Sequence, residues 1–115
     1  MFDNKGRKLW CHWVGDPVDD LVLLNHGNHI ARMQIIWEEN CITLCDIFVA
    51  HPRFRNSGIG KWMFIHLIDL AKQKNISRIV GRMQPETKDK WPELIKFYTK
   101  LGCEIDGNHF LYYIE

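Results

Sequence analysis

The sequence predicts a mixed α/β fold built as one domain over residues 1–115. Three observations lead there. The N-terminal half has apolar residues alternating with a period of two between short turns. The C-terminal half has two stretches of helical period with a short β-branched run between them. The length, 115 residues, suits one hydrophobic core and not two. Hydrophobic residues make up 46% and charged residues 25%, which is too apolar for a disordered chain. Lys and Arg exceed Asp and Glu by a net charge of +1, so no bulk attraction to nucleic acid or to an acidic membrane is expected.

Residues 8–14 form a short aromatic-rich strand ended by a turn at Gly15-Asp16-Pro17. Residues 21–26 are apolar, and Gly27-Asn28 suits the tight turn of a hairpin. From 29 to 38 the alternation puts Ala31, Met33, Ile35 and Trp37 on one face and Arg32, Gln34 and Glu38 on the other. Glu39-Asn40 turns the chain into residues 42–50. Their apolar character on both faces, except at Thr43 and Asp46, predicts a central strand covered on both sides. These three strands make an antiparallel meander. Residues 61–74 then carry Met63, Phe64, Leu67, Ile68 and Ala71 at helical spacing, with Lys72 and Lys74 favourable at the C-terminus. Residues 77–83 read as a strand. Pro92 suits the first residue of a second helix with Leu94, Ile95, Tyr98 and Leu101 as its apolar stripe, and Gly102 ends it. Residues 103–105, the turn Asp106-Gly107-Asn108 and residues 110–114 close the chain as a hairpin.

Cys11, Cys41, Cys45 and Cys103 show no metal-ligand spacing and read as buried free thiols, so no metal is expected. The N-terminus, Met1-Phe2-Asp3-Asn4-Lys5, lacks the apolar core of a secretory signal, and no apolar run approaches the ~20 residues of a membrane span. A cytoplasmic location with no membrane partner is the expectation. His12, His26, His29, His66 and His109 have no ligand-like spacing either. Trp62 and Trp91 read as packing beside the helices, with Trp91 also placed to rim a cleft, and Lys88-Asp89-Lys90 as a solvated loop.

The most informative segment is Arg55-Asn56-Ser57-Gly58-Ile59-Gly60-Lys61, between the central strand and the first helix. Glycines at such a turn let a ligand approach the backbone, and the free N–H groups of a starting helix favour an anion. A triphosphate-binding loop would need Gly at Arg55 and Ser or Thr at Trp62. A dinucleotide fingerprint would need Gly at Met63 and parallel βαβ units. Neither is present. Arg53, Arg55 and Lys61 cluster near the turn, within reach of phosphates.

The run Arg55-Asn56-Ser57-Gly58-Ile59-Gly60 matches Gln/Arg-x-x-Gly-x-Gly/Ala, the main acetyl-CoA motif of the GCN5-related N-acetyltransferase (GNAT) superfamily, which the chain resembles. The strand before it runs into a proline and the aromatic-Arg pair Phe54-Arg55, as in that family. Phe97-Tyr98-Thr99-Lys100-Leu101-Gly102-Cys103 is similar to the second family signature, Phe-Tyr-x-x-x-Gly-Phe. The resemblance covers residues 42–105. It implies the GNAT acyl-CoA acyltransferase fold, a mostly antiparallel sheet with one splayed parallel pair, here residues 42–50 and 77–83. It also implies an acyltransferase that takes acetyl-CoA as co-substrate. Backbone amides of Asn56, Ser57, Gly58, Ile59 and Gly60 would hold the CoA pyrophosphate, and main-chain groups of Phe48 and Val49 the pantetheine arm. Tyr98 would protonate the departing thiolate, a reasonable match of a phenol near pKa 10 to a thiol near 8.5.

The acceptor half is less complete. An alkyl ammonium is free base in only about one part in a thousand at neutral pH, so its proton must be taken. Where many family members carry a strand Glu, this chain has Leu44 and Cys45. Asp46 is the leading base or amine-binding residue, with Glu38 and His51 as alternatives that act through water. The function expected is direct attack of a primary amine on acetyl-CoA in a ternary complex. The acceptor is open between a protein-borne amine and a small polyamine or amino sugar. The alternative is a catalytically weak CoA-binding module that works through protein interaction. Family members usually carry two helices between the first and second strands, and the short stretch before Leu21 leaves little room for them. The expected acceptor side is therefore unusually open, suited to a bulky amine or to completion by a second subunit in a homodimer.

Overall fold

The computed structural model describes residues 2–14, 19–25, 27–50, 54–55, 58–85 and 87–114. Seven strands and two helices are present among them: β1 (Trp10–Val14), β2 (Asp19–Asn25), β3 (Asn28–Glu38), β4 (Cys41–Val49), α1 (Ile59–Gln73), β5 (Arg78–Arg82), α2 (Trp91–Lys100), β6 (Glu104–Asp106) and β7 (His109–Tyr113). The strands hydrogen-bond in the order β1-β2-β3-β4-β5-β7-β6, and β4–β5 is the parallel pair. Two compact units share this chain, residues 1–36 with 45–67 and residues 37–44 with 68–115.

In the first unit β1 pairs antiparallel with β2 and β2 with β3, so the first two strands of the expected meander, β2 and β3, are joined by a further strand, β1, on the other side of β2. The register sets Leu21 opposite Met33 and Leu23 opposite Ala31. All four are buried; Ala31 and Met33 follow the alternation expected over 29–38, with Arg32 between them exposed, whereas in β2 Val22 is buried along with Leu21 and Leu23. The hairpin closes on the pair Asn25–Asn28, so Asn28 belongs to β3 and not to the turn, and Gly27 carries the positive φ of 81°. The predicted turn 15–17 lies outside the described residues. The first half of α1 buries Ile59, Met63, Phe64 and Leu67 in this unit. Each such side chain contributes roughly 1.5–3 kcal/mol.

The second unit holds the ladder that decides how β4 is used. β4 pairs with β5 over Cys41–Arg78, Ile42–Ile79, Thr43–Val80 and Leu44–Gly81, and there the register ends. Cys41, Ile42 and Leu44 are buried, whereas Cys45, Asp46 and Phe48 beyond the ladder are exposed. The expectation of a strand covered on both sides is thus corrected: it holds only as far as the parallel partner extends.

Gly81, at the last pair, is buried and has no room for a side chain. A Cβ there would lie 2.3 Å from Phe110 Cζ and 2.7 Å from the Leu44 carbonyl oxygen. Phe110 pairs with Gly81 across β5–β7 and stacks on Tyr98, with ring centroids 4.0 Å apart.

Helix boundaries also shift. α1 begins at Ile59, two residues before the predicted start, because the Trp62 N–H already donates to the Gly58 carbonyl at 3.0 Å. α2 begins at Trp91, so Pro92 is its second residue, and a single 3-10 turn over Lys88–Lys90 replaces the predicted loop. Pro is still tolerated there, since first-turn N–H groups have no intrahelical acceptor.

Replacing Gly81 with Ala should destabilise the fold by about 2–3 kcal/mol, because one of the two clashes is with backbone. Adding Phe110→Leu to Gly81→Ala should recover part of that loss, read from urea unfolding midpoints. Equal stability of Gly81→Ala and wild type would contradict this packing.

Candidate functional site

β4 delivers the chain to the glycine turn, and two contacts fix its arrival in the first unit. The Ala50 N–H donates to the Ile30 carbonyl at 2.8 Å, and Arg55 Nε donates to the Val49 carbonyl at 3.2 Å. Arg55 therefore folds back on the strand end, and the Val49 carbonyl has a donor within the chain. His51, Arg53, Asn56 and Ser57, all singled out by the sequence, lie outside the described residues. Gly58 has φ +85°, a left-handed conformation that costs glycine little and other residues more. It accepts the first helical hydrogen bond, so α1 geometry leaves the N–H groups of Ile59, Gly60 and Lys61 without intrahelical acceptors. The Ile59 side chain is buried and anchors the helix start, while Lys61 is exposed. The turn thus offers free amides, a helix N-terminus and a glycine backbone at one place, the requirements for an anion.

Pattern reading missed the segment that lies beside this turn. Phe2 and Lys8 form an antiparallel bridge around a tight turn in which the Asp3 N–H donates to the Arg7 carbonyl at 3.1 Å and the Gly6 N–H to the Asp3 carbonyl at 3.0 Å. The Asp3 carboxylate fills the turn. It accepts from the N–H of Lys5 at 3.0 Å, the N–H of Arg7 at 2.9 Å and Arg7 Nε at 2.7 Å, with Arg7 Nη2 2.6 Å from the same oxygen as Nε. Burial opposes ionisation of Asp3, but the Arg7 side chain and the backbone donors of Arg7 and Lys5 outweigh it and hold its pKa below the usual carboxylate value.

The guanidinium carbon of Arg7 sits 3.9 Å above the centroid of the buried Phe54 ring. The Asn4 carboxamide lies against Gly58, where a Cβ would come within 2.7 Å of Asn4 Oδ1. No periodicity announces such a contact; the only local signal is an Asp followed three residues later by Gly, an ordinary turn.

Among the candidate bases, Asp46 is exposed on β4, and partial burial raises its pKa, opposed by the charge of Arg32 on β3 and by the Ile47 N–H. Glu38 accepts a hydrogen bond from Thr43 Oγ1 at 3.2 Å. Leu44, at a position where a carboxylate was sought, belongs to the core. Phe48 is exposed and Val49 half-buried.

Tyr98 belongs to the second unit, and its neighbourhood explains the second motif in physical terms. Gly102 takes φ +93° just past α2, the Cys103 N–H donates to the Tyr98 carbonyl at 3.1 Å and the Gly102 N–H to the Thr99 carbonyl at 3.0 Å. This is a left-handed helix cap that starts at Tyr98 and ends at Cys103. Both side chains are buried, and burial pushes the Cys103 thiol up to about 12, so it stays protonated and inert. Cys41 is buried as expected. Cys11 and Cys45 are exposed, contrary to expectation, because β1 is an edge strand and Cys45 follows the end of the parallel ladder. Among the described residues no group of three or more His, Cys, Asp or Glu could hold a metal.

The model of the acetyltransferase (GNAT) family matches residues 3–103. Among solved structures the chain is similar to a ribosomal-protein-alanine N-acetyltransferase from Escherichia coli, at 17% identity and TM-score 0.72, over 89% of this chain and 72% of that one. It is similar to an IAA acetyltransferase from Bacillus cereus at 14% identity and TM-score 0.70, over 92% and 99% of the two chains. A third is the PaiA N-acetyltransferase from Thermoplasma acidophilum, solved with coenzyme A, at 19% identity and TM-score 0.64. That match covers 80% of this chain and 57% of the Thermoplasma protein, so this chain spans little more than half of it. No curated protein matches the sequence significantly.

The lowered pKa of Asp3 makes stability depend on pH in a definite direction. Its contribution is complete above the unfolded value, 3.8, and is lost as pH falls through the lower folded value. Asp3→Asn should therefore melt below wild type near neutral pH, and the gap should close on acidification to about pH 2–3. A gap in melting temperature that stays constant across that range would contradict the assigned pairing.

Proposed function

The chain belongs to the GNAT acetyltransferase family, and on that premise we propose that it is an acetyl-CoA-dependent N-acetyltransferase acting by direct transfer to a primary amine. The observation that carries the reading is the left-handed Gly58 opening α1 inside the family match, with three consecutive backbone N–H groups free of helical acceptors. These residues fit the pyrophosphate of CoA: amides of Gly58, Ile59 and Gly60, with Arg55 hydrogen-bonded back to Val49 and Lys61 adding charge, and the amides of Asn56 and Ser57 are proposed to join them. Phe48 and Val49 supply main-chain groups to the pantetheine arm from the exposed end of β4. Acetyl-CoA, when bound, supplies the acetyl group already activated as a thioester.

Two side chains move protons in this reading. Tyr98 holds a proton on its hydroxyl and gives it to the sulfur as the thiolate departs. Its ring is set by the Phe110 stack and its carbonyl by the helix cap, so the hydroxyl is carried on a stiff support. Asp46 takes the ammonium proton of the acceptor, directly or through one water. Its raised pKa makes it a better base than an ordinary Asp. Glu38 has Thr43 as a partner, which favours Asp46 over it. The acceptor class proposed is an amine carried on a protein. Between β1 and β2 there are four residues, too few for the two helices that the family places there, and β1 is exposed along its whole length. The E. coli relative's name gives an alanine of a ribosomal protein as its acceptor.

Leu44 and Cys45 favour a second reading, a CoA-binding module without catalysis, since neither can take a proton as a strand Glu would. Thiol release from acetyl-CoA in the presence of N-terminal peptides and an amine panel separates the two. Turnover supports the enzyme; CoA binding without turnover on any acceptor supports the module. In the enzyme, Tyr98→Phe should lower kcat by about 10²-fold with little change in KM for acetyl-CoA. Asp46→Asn should lower kcat/KM for the amine and remove an acidic limb whose midpoint lies above the ordinary 3.8 of Asp. Unchanged kcat across pH in Tyr98→Phe would remove it from the mechanism.

A further inference from the structure

We infer that the N-terminal turn is part of the cofactor site, with Asn4 as an additional phosphate-contacting residue that Asp3 and Arg7 hold in place. The inference rests on the reading of the glycine turn as the pyrophosphate cradle and adds a residue that the motif does not contain. Asn4 is exposed, and its carboxamide lies against the α-carbon of Gly58, where a Cβ would be 2.7 Å from Oδ1, 2.8 Å from Nδ2 and 2.9 Å from Cγ. Gly58 therefore serves two needs at once. It adopts the left-handed φ that opens the turn, and it leaves the space Asn4 uses. A carboxamide carries two N–H donors and one acceptor. Beside the backbone amides of the turn, it adds side-chain donors to the same anion.

The placement of Asn4 is over-determined by its neighbours. Asp3 on one side is buried and receives two backbone donors and the Arg7 guanidinium. Gly6 on the other side takes φ +76° and returns its N–H to the Asp3 carbonyl. Only residues 4 and 5 project from this closed loop. The loop is then fastened to the chain entering the glycine turn, because the Arg7 guanidinium covers the Phe54 ring. Arg7 spends its charge on Asp3 and its planar face on Phe54, so its part is to position. Asn4 is the residue left facing the ligand. This arrangement costs little ordering entropy on binding, since the turn is locked before the ligand arrives.

The test is titration of wild type, Asn4→Ala and Asn4→Asp with CoA and with pantetheine, which has the arm but no pyrophosphate, by calorimetry or by competition. The expected result is CoA affinity reduced roughly tenfold in Asn4→Ala and further in Asn4→Asp, whose charge repels phosphate, with pantetheine affinity equal in all three. Arg7→Gln, which loses the fork to Asp3 and the stack on Phe54, should show the same selective loss for CoA. Asn4 is exposed, so Asn4→Ala keeps the test valid even where Arg7→Gln fails to fold. CoA affinity in Asn4→Ala equal to or tighter than wild type overturns the inference and leaves the cofactor reading intact, as does a matching loss for pantetheine. Wild-type protein without affinity for CoA overturns the cofactor reading and this inference with it.

Discussion

The packing of one aromatic ring over one glycine governs much of the second unit. Phe110 lies against Gly81 at the last pair of the β4–β5 ladder, in space that any Cβ would close. Without that vacancy the ring would have to leave, and with it the surface on which Tyr98 is stacked. The cost of losing such contacts is several kcal/mol for an aromatic in a core, a large share of a small domain's stability. The same position marks the end of the parallel register. Before it β4 is core, and beyond it β4 exposes Cys45, Asp46 and Phe48. A strand that stops being core while still a strand can offer main-chain and side-chain groups to a ligand, and that is the use proposed for it.

The helix ends show how a motif can be read as mechanics. α1 and α2 finish with the same device: Ile76 N–H to the Ala71 carbonyl with Asn75 at φ 56°, and Cys103 N–H to the Tyr98 carbonyl with Gly102 at φ 93°. In α2 the residue whose carbonyl is captured is also the proposed acid. The second signature, an aromatic pair followed by glycine, is therefore both a stop signal and a way to hold Tyr98. The glycine turn has the same double character, because Gly58 supplies the left-handed φ and the room for Asn4.

Sequence legibility followed the range of the interaction. The alternation of Ala31, Met33 and Ile35, the stripe of α1 and the stop at Gly102 are local consequences of residue type, and each was readable. The glycine turn before α1 was readable for the same reason. Its exact helix start was not, since Ile59 and Gly60 look like loop until the Gly58 carbonyl is seen to accept from Trp62. The exposure of β4 past Leu44 was hidden because an apolar run looks the same whether its partner strand continues or stops. The clasp of Asp3, Asn4 and Arg7 on Phe54 and Gly58 was illegible in principle. It joins residues about fifty positions apart through a cation–π contact and a close approach, and neither leaves a periodic trace.

Selectivity for the amine follows from what surrounds it. A small free amine offers few atoms, so an enzyme that chooses one must enclose it and desolvate it on several sides. Four residues join β1 to β2, and Trp10, Trp13 and Val14 on β1 are 46%, 37% and 48% exposed. With residues 3–7 clasped to Phe54 and Gly58, and only four residues joining the first two strands, the proposed reading places the chain's investment in the cofactor and not in walls for the acceptor. An acceptor that carries its own surface removes the need for those walls, because the residues flanking the amine supply both the exclusion of water and the orientation. Protein-borne amines meet that condition, and this is the argument for proposing them as the acceptor over free polyamines and amino sugars.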